Sequence, residues 1–287
     1  MPSSTAGSTT PSPERVRRAA VVTHGKPERI GPAVARLEQV ASESGVELLF
    51  PDEEVEKHGR EGAAEDLGGA DVAVVLGGDG TMLRALQRFL GTGIPVIGVN
   101  FGRVGFLAAI RPDELESGVA RVFAGEYRIV ELPTIELEVE GERWRAVNDV
   151  VVTSATLGRM VELGWSIDGE DLGLQPCDGL ICATPSGSTA YNLSNGGPVL
   201  VWGLDAMVVT FVAPHSLSAR PLVVPPGRDL VVTNKTPDVP VKILVDGHGV
   251  AEIDPGGKVA VRLDGQRSLL ATLPDVTFFA RYRDTFG

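Results

Sequence analysis

The chain has 287 residues and only two cysteines, Cys177 and Cys182, too few for a disulfide framework at this length and suited to a reducing compartment, so a cytoplasmic location is expected. Positive charge is also scarce. Lys and Arg number 26 against 38 Asp and Glu, a formal net charge of −12 that repels a nucleic-acid backbone or an anionic membrane, so neither is expected as a partner. A polyanionic ligand would have to be held by local dipoles and a few placed cations. No apolar run approaches the ~18 residues needed to span a bilayer; the longest, 206–213, has the length of a buried strand. Residues 1–18 are rich in Ser, Thr and Pro and contain no apolar core of the kind a secretory signal needs, so they are expected to form a disordered tail. The 35 glycines and 20 prolines stay below the roughly 25–30% that marks low-complexity chains, and the glycines concentrate in short loops.

With 43% apolar and 22% charged residues the chain can bury a core, and at ~150 residues per domain it should form two domains. The first, residues 19–127, alternates short apolar runs with helical spacing. AAVVTH (19–24), VELLF (46–50), DVAVVL (71–76) and IPVIGV (94–99) read as strands. Ile30, Val34, Leu37, Val40 and Ala41 fall on one face of a helix ending near Gly45, and a second helix is expected over 81–90. Near-continuous apolar strands between amphipathic helices imply a doubly wound α/β domain with a mostly parallel sheet. From residue 128 the rhythm changes to period two, in short β-branched runs bounded by Gly, Pro, Asn or Asp. That pattern predicts an all-β, sandwich-like domain over 128–270. The last stretch, 271–287, is apolar enough to dock, with the first domain as its expected seat.

Familiar phosphate loops are missing: there is no G-x-x-x-x-G-K-[ST], and residues 78–83 lack the third glycine of G-x-G-x-x-G. In their place stands Gly77-Gly78-Asp79-Gly80-Thr81, between an apolar strand and a helix start. Three glycines let the backbone approach a ligand, the helix start offers free N–H groups, and Thr81 can cap the helix or touch an oxyanion. Asp79 is conspicuous because a carboxylate in a phosphate cradle opposes the ligand's charge. It can bind a bridging divalent metal, remove a proton from an attacking hydroxyl, or simply hydrogen-bond its own turn.

A second concentration, DGLICATPSGSTAYNLSNGGP (178–198), breaks after a strand at Pro185 and presents hydroxyls and N–H groups, either lining a nucleotide site or capping a short helix. No G-x-S-x-G surrounds Ser188, so a serine hydrolase has little support. The C-x₄-C spacing of the cysteines reads as buried thiols, and His24, His58 and His215 show no metal-ligand spacing and read as structural. The acidic run 52–66 reads as a solvated face or mobile loop, and Trp144, Trp165 and Trp202 as packing residues.

GGDGT (77–81), Asn148-Asp149, the 178–198 segment, PHSLSARPLVV (214–224) and Asp246-Gly247 occur in the order seen in the NAD kinases, which the chain resembles over nearly everything after the tail. GGDGT alone is shared with diacylglycerol and sphingosine kinases and 6-phosphofructokinases; TPSGSTAY is far more specific. The resemblance implies an α/β and a β-rich domain with the NAD site between them, and the reaction of ATP with NAD⁺ giving ADP and NADP⁺. It implies Asp79 as the base for the 2′-hydroxyl of the adenosine ribose, and Asp79, Gly80 and Arg84 as NAD contacts. Asn148, Asp149, Arg159, Asp178, Thr189, Ala190, Tyr191, Asn192, Leu193, Ser194 and His248 are further implied contacts. Gly77, Gly78, Gly80 and Thr81 would cradle the ATP phosphates. No dedicated metal ligand is assigned, and a divalent cation, Mg²⁺, is expected with ATP. Inorganic polyphosphate is a conceivable donor, and a homodimer or homotetramer is expected. The chain departs from its relatives at Asp149, usually Glu, at His248, often Gln, and at Ser186, often Thr. The rival readings are a lipid kinase with a related glycine loop and a non-catalytic NAD(P) sensor.

Overall fold

The computed structural model describes residues 15–25, 27–59, 67–102 and 105–287. The chain divides into two compact units, one formed by Met1–Val130 with Leu269–Gly287, the other by Glu131–Ser268.

In the first unit the elements run β1 (Arg18–Thr23), α1 (Pro27–Ser44), β2 (Glu47–Leu49), α2 (Asp52–His58), β3 (Val72–Gly77), α3 (Asp79–Arg88), β4 (Val96–Asn100) and α4 (Leu115–Phe123). The strands pair in parallel in the order β2-β1-β3-β4. Their side chains alternate between two covered faces, so the runs are apolar almost throughout. Ala19, Val21, Val72, Val74, Ile97 and Val99 share a core with Ile30, Val34 and Leu37 of α1 and Leu115, Val119 and Val122 of α4. The opposite face takes α3: a Cβ on Gly98 would lie 2.3 Å from the sulfur of Met82, so the helix seats there only because Gly98 has no side chain. At the end of α1, Gly45 takes φ +69°, the left-handed cap that a glycine adopts without steric cost.

Two expectations for this unit are corrected. Of the expected tail, residues 1–14 lie outside the described residues, but 15–18 belong to the fold. Val16 is buried with its amide donating to the Phe123 carbonyl, and the amides of Arg17 and Arg18 donate to Asp71. The acidic run is a solvated face only in part where it is described: residues 52–58 form α2, whose Asp52, Glu53 and Glu56 are exposed, but Glu54 is 1% exposed. Its carboxylate accepts from the amide and hydroxyl of Thr23 (2.9 and 2.5 Å) and from Lys57 (2.7 Å), with His58 at 3.6 Å, which compensates a buried charge. The rest of that run, 60–66, lies outside the described residues.

The second unit continues with β5 (Arg128–Val139), β6 (Glu142–Ala146), β7 (Asp149–Ser154), β8 (Val161–Ile167), β9 (Glu170–Cys177), β10 (Gly179–Ala183), α5 (Tyr191–Ser194), β11 (Met207–Val212), β12 (Leu222–Val224), β13 (Leu230–Asn234), β14 (Val241–Val245), β15 (His248–Ile253) and β16 (Lys258–Thr272). One antiparallel sheet has the order β12-β11-β10-β7-β14-β15. The other is built from β6, β5, β16, β13, β8 and β9. Their facing side chains, among them Ile135, Leu137, Val150, Leu163, Leu180, Val209, Val232 and Val259, form a single core, as the period-two pattern requires of a sandwich. Cys177 and Cys182 are buried free thiols, pushed up in pKa by that burial, Cys177 to about 12.

The chain returns to the first unit at the end of β16, where Leu270 pairs in parallel with Val96, and finishes in α6 (Phe278–Phe286). Thr277 caps α6 by accepting from the Ala280 amide (3.1 Å), and the Phe278 ring meets Phe106 edge-on at 5.4 Å between centroids. No helix among the described residues is long and apolar enough to cross a membrane.

Candidate active site

The glycine loop is shorter than the sequence suggests, because α3 begins at Asp79 with Gly78 as its N-cap rather than at Thr81. Each glycine has its own reason to be there. A Cβ on Gly77 would lie 2.5 Å from Oγ1 of buried Thr81, and one on Gly78 would lie 3.2 Å from the backbone of Gly102. A Cβ on Gly80 would meet nothing within 4 Å. Gly80 therefore keeps room free rather than relieving a packing clash. That room opens on a cavity of about 660 Å³ lined by His24, Gly25, Ile30, Gly77, Gly78, Gly80, Thr81, Arg84, Phe101 and Gly102. The size suits a small-molecule site. The leading amides of α3 have no acceptor inside the helix, and with the helix dipole they favour an anion at this end. Arg84, exposed one turn on, reaches back to the Thr23 carbonyl (3.4 Å) and sets a cation on the cavity wall.

Asp79 does not line this cavity. Its carboxylate is tied to the segment after β4: the Phe106 amide donates to Oδ2 (2.8 Å) and the Leu107 amide to Oδ1 (3.1 Å). On the other side of that segment the Arg281 guanidinium of α6, 6% exposed, donates to the carbonyls of Phe106 (2.5 Å) and Ala108 (2.8 Å). Burial pushes Arg281 down to about 10, while the nearby charge of Asp79 pulls the other way. Sequence reasoning missed Phe106 and Leu107, which act through backbone groups, and His24 and Phe101, which line the cavity. The glycines of FG at 101–102 and of Gly105, directly after an apolar strand, were the available signal.

In the β unit, Asn148 and Asp149 stand at the start of β7 and are 9% and 6% exposed. The Asp246 carboxylate accepts from the amides of Val147 (2.9 Å), Asn148 (2.7 Å) and Asp149 (3.0 Å), which fixes the Asn-Asp pair. Asp246 and Gly247 take φ +48° and +82°, the two left-handed positions of a tight hairpin turn between β14 and β15. His248, just after it, is exposed with Nδ1 3.1 Å from the Asp246 carbonyl. The Asn148 side chain accepts from Ser186 (2.9 Å), and the Asn148 backbone carbonyl lies so near Gly187 that a Cβ there would sit 2.0 Å away. Burial, then the charge of Asp246, raises Asp149 to about 7.

Not all of the implied contacts in this unit converge. β7 and β10 pair from Asp149↔Ala183 to Thr153↔Gly179. Asp178 thus stands at the far end of the strands, about 15 Å of chain from Asp149 at ~3.3 Å per residue. Its carbonyl accepts from Thr153 (3.0 Å). Arg159, beyond the same far end of β7, is exposed and paired with Asp238 (2.9 Å). Within one chain neither joins Asn148. Asn192 is also spent elsewhere: fully buried, it donates to the carbonyls of Ser188 and Pro198 (3.0 Å each) and accepts from Thr210 (2.7 Å). Its side chain braces the turn instead of facing a ligand. Thr189 (bonded to the Ser186 carbonyl), Ala190, Tyr191, Leu193 and Ser194 keep some exposure, with Tyr191 46% exposed. Among the described residues no three His, Cys, Asp or Glu side chains group as a cation cage.

Both halves of the chain match known proteins. Residues 31–127 match the ATP-NAD kinase N-terminal domain and residues 147–270 the ATP-NAD kinase C-terminal domain. An NAD kinase of Gemmatimonas aurantiaca is 41% identical over 227 residues, 76% of this chain and 77% of the relative. NAD kinase 2 of Streptomyces avermitilis is 37% identical over 277 residues, 94% of this chain and 89% of the relative. Among solved structures, an Archaeoglobus fulgidus NAD kinase in complex with ATP aligns with TM-score 0.70 and 28% identity, covering 94% of this chain and 97% of that one. Yeast NADH kinase complexed with NADH aligns with TM-score 0.80 at 22% identity, over 94% and 87%, a likeness of fold. Nothing among these relatives favours a lipid kinase or a sensor, and the chain belongs to the ATP-NAD kinase family.

Proposed function

We infer that this chain is an NAD kinase that transfers the γ-phosphoryl group of ATP to the 2′-hydroxyl of the adenosine ribose of NAD⁺. The transfer forms a bond between the ribose oxygen and phosphorus, breaks the bond to the β–γ bridging oxygen, and releases ADP and the hydroxyl proton. Asp79 takes that proton. The observation carrying this reading is a carboxylate fixed by two amides at the first turn of a helix whose glycine loop walls a nucleotide-sized cavity. Phosphoryl transfer asks the protein for alignment and charge compensation more than for covalent chemistry. The free amides of α3 and Arg84 are the groups suited to the phosphates, with Gly80 leaving them room. Asn148, Asp149 and the partly exposed residues of 189–194 are the proposed dinucleotide contacts of the β unit, with His248 beside them.

ATP enters as its magnesium complex. The cation bound with ATP would neutralise phosphate charge. The enzyme works in the cytoplasm as a homo-oligomer, and inorganic polyphosphate is a second candidate donor. The test is direct: purified protein with Mg-ATP and NAD⁺, NADP⁺ read by a coupled reductase, and polyphosphate in place of ATP in a parallel arm. NADP⁺ formed in proportion to enzyme supports the reading. Its absence across donors and divalent metals overturns it.

A further inference from the structure

α6 closes the chain on the segment that holds Asp79, and its one buried charged side chain touches the same peptide group that Asp79 does. Phe106 O and Leu107 N belong to one peptide unit. Arg281 Nη1 donates to that carbonyl at 2.5 Å, and the Leu107 N–H donates to Asp79 Oδ1 at 3.1 Å. The next carbonyl but one, Ala108 O, takes a second bond from the same Nη1 (2.8 Å), and the preceding amide, Phe106 N, gives Asp79 its other bond (2.8 Å). A trans peptide points its C=O and N–H in opposite directions, so a cation on one side and an anion on the other align it between them. A hydrogen bond to the carbonyl also strengthens the N–H as a donor. The guanidinium is anchored from behind, its Nη2 reaching Thr272 Oγ1 (3.4 Å), and Phe278 packs edge-on against the Phe106 ring.

We propose that Arg281 is a positioning residue for the phosphoryl transfer: through the Phe106–Leu107 peptide it holds the Asp79 carboxylate in the orientation that receives the hydroxyl proton. The proposal rests on the reading of Asp79 as the base. Arg281 itself touches no substrate. Its removal should therefore lower turnover while leaving NAD⁺ and ATP affinity alone, and it should do nothing further once Asp79 can no longer act as a base.

The experiment compares the wild type with Arg281→Met, Arg281→Lys, Asp79→Asn and the Asp79→Asn/Arg281→Met double variant. It reads kcat and KM for NAD⁺ and ATP, with hydrogen exchange of the 101–110 peptide alongside. Arg281→Met should lose about 10- to 100-fold in kcat with KM changed less than about twofold. Arg281→Lys keeps the charge without the planar fork and should lie between it and wild type. The double variant should be no slower than Asp79→Asn alone, and exchange at the 106 and 107 amides should quicken in Arg281→Met. Losses that multiply in the double variant, an unchanged kcat, or a KM effect without a kcat effect each overturn the proposal. If Arg281→Met does not fold, Arg281→Lys is read by the same criteria. A wild type that makes no NADP⁺ removes the kinase reading instead, and unchanged exchange at 106–107 then removes the positioning claim on its own.

Discussion

Asp79 is gripped by two amides, and that grip decides what its replacement should do. Asparagine keeps the size, but it takes no proton and turns an NH₂ toward one of the two N–H donors. Asp79→Asn should lose about 10²- to 10⁴-fold in turnover with NAD⁺ still bound, read by steady-state kinetics and calorimetry. Asp149 permits a second test at this scale. Its pKa, raised to about 7 by burial and Asp246, means that the folded protein holds this proton more tightly than the unfolded chain does. The stability it confers is complete below pH ~4 and is lost as pH rises to about 7, on the order of 4 kcal/mol at most. Asp149→Asn should therefore shift the urea midpoint upward at pH 8, with a much smaller shift at pH 5, followed by tryptophan fluorescence. Asp79 was legible in the sequence because a carboxylate among glycines is conspicuous. Its partners were not, since Phe106 and Leu107 offer backbone amides that no side chain advertises and Arg281 arrives from the other end of the chain. Asn192 lies in a motif segment yet works inward, a difference that only its burial reveals.

α1 could be read from apolar residues recurring at helical spacing on one buried face, and the strands β1, β3 and β4 from runs that are apolar almost throughout because both faces are covered. α2 could not: its single apolar residue, Val55, makes no stripe, and the helix is tied in by the Glu54 network with Thr23, Lys57 and His58. β9 carries no such signal, since most of its residues are exposed and show no apolar alternation. Asp79 and Gly80 resemble a turn, so the sequence places the start of α3 at Thr81, two residues late. That helix start separates two kinds of glycine. Gly77→Ala drives a methyl into Thr81 and should lower the melting temperature, whereas Gly80→Ala fits the fold and places its methyl in open space at the cavity wall. The Gly80 variant should melt like wild type, yet bind ATP or NAD⁺ at least about tenfold more weakly, since a methyl in the ligand's path costs on the order of 1–3 kcal/mol. Equal affinity would mean that no ligand approaches the backbone here.

Across the whole molecule the decisive quantity is the charge imbalance, −12 over 287 residues, which opposes the compact state and the approach of ATP alike. Many exposed ion pairs offset it, among them Arg121 with Glu126 and Asp275, and Arg111 with Asp113. Such pairs each contribute about 0–1 kcal/mol and are screened by salt as readily as the repulsion is. Cations are outnumbered, so surplus repulsion remains after every cation is paired, and screening should help more than it harms. Raising NaCl from about 10 mM to about 150 mM, over which the Debye length falls from ~30 to ~8 Å, should raise the melting temperature at pH 7.5. The gain should shrink toward pH 5, as carboxylates begin to protonate and the imbalance closes. A melting temperature that falls with salt at pH 7.5 would instead mean that the surface pairs outweigh the surplus. Because the net field repels ATP, the local groups of the first unit, the α3 amides and Arg84, have to draw in the triphosphate at short range, where a screened field still acts.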